Sequence, residues 1–129
     1  MSAHWNLRRA ECVALLERRI PGYQAPPDWD VVAFQREGVL IGAAAVRRLS
    51  PPTSVMIDFA LEPSAEGAGG WCFRSLLRCL RGQGVLHVVI DVPVASQTSG
   101  YLERLGPALR LQHARADHFE FFTRTEARP

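Results

Sequence analysis

The chain has 129 residues, enough for one domain with a real core, and 47% of them are hydrophobic, which excludes a disordered chain. The formal charge of +2 argues against a nucleic-acid partner, and all fifteen basic residues are arginine, which excludes lysine Schiff-base and lysine-base chemistry. No signal peptide is seen and no apolar run approaches the ~20 residues of a membrane span, so a cytoplasmic protein without a membrane partner is expected.

In chain order, Ser2 can cap a first helix over about Ala3 to Arg19, with Trp5, Cys12, Val13, Leu16 and Ile20 as its inner face. Pro21-Gly22 ends it. A hairpin follows: Val31 to Gln35, a turn at Arg36-Glu37-Gly38, then Val39 to Arg48. The second arm is apolar through Val46, as a strand covered on both faces would be, and Gly42 within it marks a bulge or a close contact. After the Ser50–Thr53 loop, Val55, Ile57, Phe59 and Leu61 alternate with Met56, Asp58, Ala60 and Glu62, the period of a strand. Pro63 and Ser64 stop it. Gly67, Gly69 and Gly70 come next, and then Cys72, Phe73, Leu76, Leu77 and Leu80 fall on one face of a helix.

Arg81-Gly82-Gln83-Gly84 ends that helix. Val85 to Val92 reads as a buried strand, stopped by Pro93. Ser96 or Thr98 can cap a short helix through Leu105. Two last strands, about Leu109 to Ala114 and Phe119 to Thr123, meet near Asp117, and 125–129 is a tail outside the core. The order is helix, three strands, helix, strand, helix, two strands. This predicts a single α/β (α+β) domain over 1–129: a mixed sheet of about six strands with helices on both faces.

Cys12, Cys72 and Cys79 have neither CxxC spacing nor flanking histidine pairs, so reduced thiols packed in the core are expected, with no metal site. The chemistry concentrates in the stretch from Ser54 to Leu80. A glycine turn feeding a helix leaves backbone N–H groups pointing one way, at the positive end of the helix dipole, a cradle for phosphate or pyrophosphate. Asp58 alternates with the core-facing residues of its strand and can act as a general base, directly or through water. Asp91 interrupts an apolar strand and reads as a hydrogen-bonded carboxylate beside a cleft or as a ligand for a substrate amine. His87, His113 and His118 read as packed or surface residues.

The segment Ser64-Ala65-Glu66-Gly67-Ala68-Gly69 resembles the Gln/Arg-x-x-Gly-x-Gly/Ala turn of the GNAT superfamily, the acetyl-CoA-dependent N-acetyltransferases, with Ser64 at the Gln/Arg position. Tyr101-Leu102-Glu103-Arg104-Leu105-Gly106 resembles the family's YERLGF helix ending. The chain departs from the family at Ala95, where an asparagine is usual, and at Leu102, which takes the place of the acidic tyrosine while Tyr101 stands one residue early. The usual first strand is absent or very short.

The resemblance implies a V-shaped cleft between the strands at 54–61 and 86–92, holding acetyl-CoA or another acyl-CoA. Gly67, Ala68, Gly69 and Gly70 would bind its pyrophosphate, Ala60, Leu61 and Glu62 its pantetheine, and Arg74 its adenosine phosphate. Asp58 and Tyr101 are the catalytic candidates, and the acceptor would be a small-molecule or protein amine. The alternative is a non-catalytic module of the same fold, used for binding or assembly, with a fainter resemblance to GNAT-like virion proteins of short-tailed bacteriophages. Trp71, if it faces solvent, would mark a self- or partner interface.

Overall fold

The computed structural model describes residues 1–24, 28–65, 67–91, 111–114 and 118–123. The chain begins with a strand, β1 (Ser2–Trp5), followed by α1 (Arg9–Arg19), β2 (Asp30–Arg36), β3 (Val39–Arg48) and β4 (Ser54–Leu61). A single 3-10 turn (Pro63–Ala65) leads to α2 (Gly69–Gly82), then β5 (His87–Asp91), β6 (Leu111–Ala114) and β7 (His118–Phe122). Among the described residues the strands form one seven-stranded sheet in the order β1-β2-β3-β4-β5-β7-β6.

The first element corrects the sequence reading. The expected helix from Ala3 starts instead at Arg9, and Ser2 to Trp5 pair antiparallel with β2, from Ser2↔Gln35 to Trp5↔Val32. Asn6 and Arg8 carry the change of direction, with φ of 56° and 54°. Asparagine tolerates this left-handed backbone better than most residues. Its side chain then ties the corner down: Asn6 Oδ1 accepts from the Val31 amide at 2.9 Å, and Asn6 Nδ2 donates to Asp30 Oδ1 at 2.9 Å. Four residues of strand are too few to show a period, which is why helix spacing looked continuous through Trp5.

The hairpin and the central strand fall where the sequence places them. Gly42 lies opposite Phe34, and the register then jumps to Gln35↔Leu40, so Ile41 is the extra residue of a bulge. β4 pairs antiparallel with β3 and parallel with β5, as a strand–helix–strand crossover through α2 requires. The closing hairpin inserts β7 between β5 and β6. His87 joins three strands: its Nδ1 is 3.3 Å from Ser54 Oγ and its Nε2 is 3.1 Å from Glu120 Oε1.

Each face of the sheet has its own core. On one, Val55, Ile57, Phe59, Val88, Ile90 and Phe119 pack against Cys72, Phe73, Leu76, Leu77 and Leu80 of α2. Phe59 stands edge-on to both Phe34 and Phe73, with ring centres 5.8 and 5.7 Å apart. On the other, Cys12, Leu15 and Leu16 of α1 cover Val31, Ala33, Ala43, Ala45 and Ala60. The alanines of β3 let α1 lie close to the sheet. Trp71 is half-buried against the α2 core.

Candidate active site

The candidate site forms where β4 runs past its described pairing with β5. Their ladder runs from Ser54↔His87 to Ile57↔Ile90, while β4 continues to Leu61 with pairing to β3 alone among the described residues. The alternation of an antiparallel ladder decides which main-chain groups face this gap. Glu62 N–H donates to the Ile41 carbonyl at 2.8 Å, so Glu62, Ala60 and Asp58 spend their main-chain groups on β3. Phe59 and Leu61 therefore turn theirs toward the β5 side. Of the expected pantetheine-binding residues, only Leu61 offers its main chain to the gap, and Phe59, unseen in the sequence, joins it. The signal for Phe59 was the register, which one strand's pattern cannot supply.

Two arginines of α1 reach across the end of β4. Arg19 Nε donates to the Leu61 carbonyl at 3.1 Å, and Arg18 Nη2 pairs with Glu62 Oε2 at 2.8 Å. Glu62 is thus held as the partner of Arg18.

The glycine turn lies between the end of β4 and α2. Gly67 has φ of +85°, a backbone that a residue with a side chain adopts only under strain, and no atom lies within 4 Å of where its Cβ would stand. The left-handed residue is Gly67; Gly69 opens the helix. The first helical hydrogen bond is Cys72 N–H to Ala68 O at 2.9 Å, and the Ala68 amide itself donates to the Ala65 carbonyl at 2.9 Å. Ala68 is also buried. The amides of Gly69, Gly70 and Trp71 precede that first bond, where a helix supplies no carbonyl partner of its own. They are the donors that can meet an anion, with the helix dipole behind them. Arg74 is exposed on the first turns of α2.

Asp58 lies on the opposite sheet face from α2, between Met56 and Ala60. Burial raises its pKa above the ordinary carboxylate value; the nearby Tyr23 hydroxyl and Arg47 guanidinium oppose that rise, and the charge of Asp91 adds to it. Tyr23 was not foreseen. The turn at Gly22, with φ of +72°, folds it back from α1 onto the sheet. Its hydroxyl is buried without a hydrogen bond of ordinary geometry, and burial followed by the charge of neighbouring Asp58 pushes its pKa up. Asp91 is exposed at the end of β5, close enough to Asp58 to be felt by it. Tyr101, Ala95 and Leu102, with the helix expected around them, lie outside the described residues. Among the described residues, no group of three His, Cys, Asp or Glu side chains is placed to hold a metal ion, and no helix is long and apolar enough to cross a membrane.

No protein-family model and no curated protein sequence matches the chain. Solved structures do. An N-acetyltransferase from Staphylococcus aureus Mu50 superposes with a TM-score of 0.65 at 13% identity, over 96% of this chain and 100% of that one. Tetrahymena GCN5 gives a TM-score of 0.72 at 10% identity, over 98% and 99%. The ribosomal-protein-S18-alanine N-acetyltransferase of Escherichia coli gives 0.62 at 14% identity, over 94% and 91%. At such identities the likeness is one of architecture, and it runs over nearly the whole chain: this chain has the fold of the GNAT N-acetyltransferases.

Proposed function

We propose that this protein is an acyltransferase that moves an acetyl or other acyl group from acyl-CoA to an amine. The observation that carries the reading is that β4 runs on past the end of its described ladder with β5 and leads, through one short turn, to the first amides of α2. An extended, amide-bearing chain fits the main-chain edge of Phe59 and Leu61, where it would displace Arg19 from the Leu61 carbonyl, and a pyrophosphate fits the amides of Gly69, Gly70 and Trp71. Arg74, one turn on, faces outward where an adenosine phosphate can be met.

In the transfer, the lone pair of the acceptor nitrogen attacks the thioester carbonyl carbon. The carbon–sulfur bond breaks, the sulfur leaves as a thiolate that takes up a proton, and the nitrogen loses its proton to Asp58 directly or through water. A carboxylate whose pKa is raised by burial is a stronger base for that step than an exposed one, and a thiolate tolerates leaving without a dedicated acid. Main-chain amides at the end of β4 supply the polarising donors.

Calorimetric titration with acetyl-CoA and with desulfo-CoA tests the reading. Binding of both is expected, lost in Gly69→Val while the circular dichroism spectrum is retained, because the added side chain stands among the N-terminal amides of α2. Silence of the unmodified chain at millimolar coenzyme refutes the enzyme and favours a non-catalytic binding module of the same fold.

A further inference from the structure

Beyond the edge of α1, the sheet face that bears Asp58 holds a cation against an aromatic ring. Arg47 and Met56 are directly paired across β3 and β4, one step along the same face from Ala45↔Asp58. The Arg47 guanidinium carbon sits 5.2 Å from the centre of the Trp29 ring, within the range of a cation–π contact, and its Nη2 is 3.3 Å from Met56 Sδ. Trp29 is anchored from below, its carbonyl taking a hydrogen bond from Arg9 Nη1 of α1. Asp58 and Asp91 supply negative charge on the same face, and the Tyr23 hydroxyl is buried beside Asp58. Arg47 itself is exposed, on a long flexible stem. The protein's own side chain thus fills a seat suited to a positive group that comes from outside.

We propose that this face is the acceptor subsite and that it selects an amine carrying a second cationic centre, the diamine class, whose far cation displaces Arg47 over Trp29 while its near nitrogen faces Asp58. This rests on the acyltransferase reading above. The reacting nitrogen must shed its proton before it attacks, so a charge that the site can recognise throughout has to lie elsewhere on the acceptor. The pairs Arg47↔Met56 and Ala45↔Asp58 lie about 7 Å apart along the strands, the reach of a four-carbon diamine. An acceptor bearing a carboxylate would instead meet Asp58 and Asp91 and be repelled.

The test is calorimetry on the full chain with 1,4-diaminobutane, 1-aminobutane and 4-aminobutanoate. The diamine is expected to bind about tenfold more tightly than 1-aminobutane, as a cation–π contact backed by carboxylates allows, with 4-aminobutanoate weakest. Trp29→Leu should abolish that preference and Trp29→Phe retain part of it. Arg47→Gln, which empties the seat, should tighten the diamine several-fold, and Asp91→Asn should weaken it. Equal binding of the three probes, a preference that survives Trp29→Leu, or looser diamine binding in Arg47→Gln each overturns the proposal. Titration with desulfo-CoA is read separately: its failure removes the acyltransferase reading, whereas the diamine preference alone decides this one.

Discussion

Gly42 links the β-bulge to the cleft, and replacing it with alanine puts a number on that link. A Cβ at this position would stand 2.5 Å from Leu61 Cδ2, 3.2 Å from the Ala60 carbonyl oxygen and 3.5 Å from Phe34 Cδ2. The first contact is with the far end of a flexible side chain, which can rotate away. The second is with backbone held in the β3–β4 ladder, which must give by a few tenths of an ångström. Overpacking of this kind costs about 1–3 kcal/mol, and the lower conformational entropy of the unfolded alanine chain offsets up to about 1 kcal/mol of it. A net loss near 1 kcal/mol is expected for Gly42→Ala, a few degrees in melting temperature. Denaturant melts of Gly42→Ala, Leu61→Ala and the double variant isolate the contact. If Leu61 is what the new methyl meets, Gly42→Ala should be cheaper in the Leu61→Ala background, with a coupling of about 0.5–1 kcal/mol. Because Leu61 stands at the cleft, Gly42→Ala should also weaken desulfo-CoA, and Leu61→Ala should restore part of that loss. Strict additivity, with unchanged coenzyme binding, would refute the reasoning.

Asp58→Asn should lower kcat/KM by about 10²–10⁴. It should also stabilise the fold at neutral pH: the native carboxyl holds its proton above the ordinary value of 3.8, so native stability falls as pH rises from there through the raised value, and the Tm gap between variant and parent should open over that window and close below it. Arg19→Ala frees the Leu61 carbonyl of its present donor, and the loss of one competing hydrogen bond should tighten desulfo-CoA by about fivefold, read by calorimetry, with little change in Tm. Alkylation by iodoacetamide at pH 7 should be slow at Cys12 and Cys72, whose burial pushes each thiol up to about 11, and should reach half-exposed Cys79 first, as peptide mapping would show.

The sequence revealed those parts of the fold whose signals are local. Val55, Ile57, Phe59 and Leu61 carry a strand's period, and Cys72 through Leu80 carry a helix's, so both elements of the crossover could be read off without a partner in view. β1 could not. It is a strand because β2 has an edge to cover, and its corner depends on the Asn6 side chain meeting Asp30 and Val31 far along the chain. Counting about six strands rather than seven follows from that one omission. The glycine turn was legible as a turn, but not which glycine bears the left-handed backbone, since Gly67, Gly69 and Gly70 look alike in sequence.

The site divides in the same way. Asp58 was visible because a carboxylate in an alternating strand needs an explanation within the strand itself. Tyr23 and Arg47 were not, because what matters about them is their approach to Asp58 across the sheet. Phe59 is the sharpest case. Its side chain is core, wedged between Phe34 and Phe73, and that reading is right. Its main chain is what the proposed reading assigns to the coenzyme, and main-chain groups leave no mark on side-chain pattern. A coenzyme held largely through backbone amides and carbonyls can therefore be accommodated by sequences that share little else, provided the ladder parts at the same place. The face beyond α1 that seats a cation is built from Trp29, Arg47, Asp58 and Asp91, through their side chains rather than through the main-chain groups that form the ladder. On the acyltransferase reading proposed above, coenzyme binding would follow from where the ladder of β4 with β5 ends, and the choice of acceptor from the side chains that stand beside it.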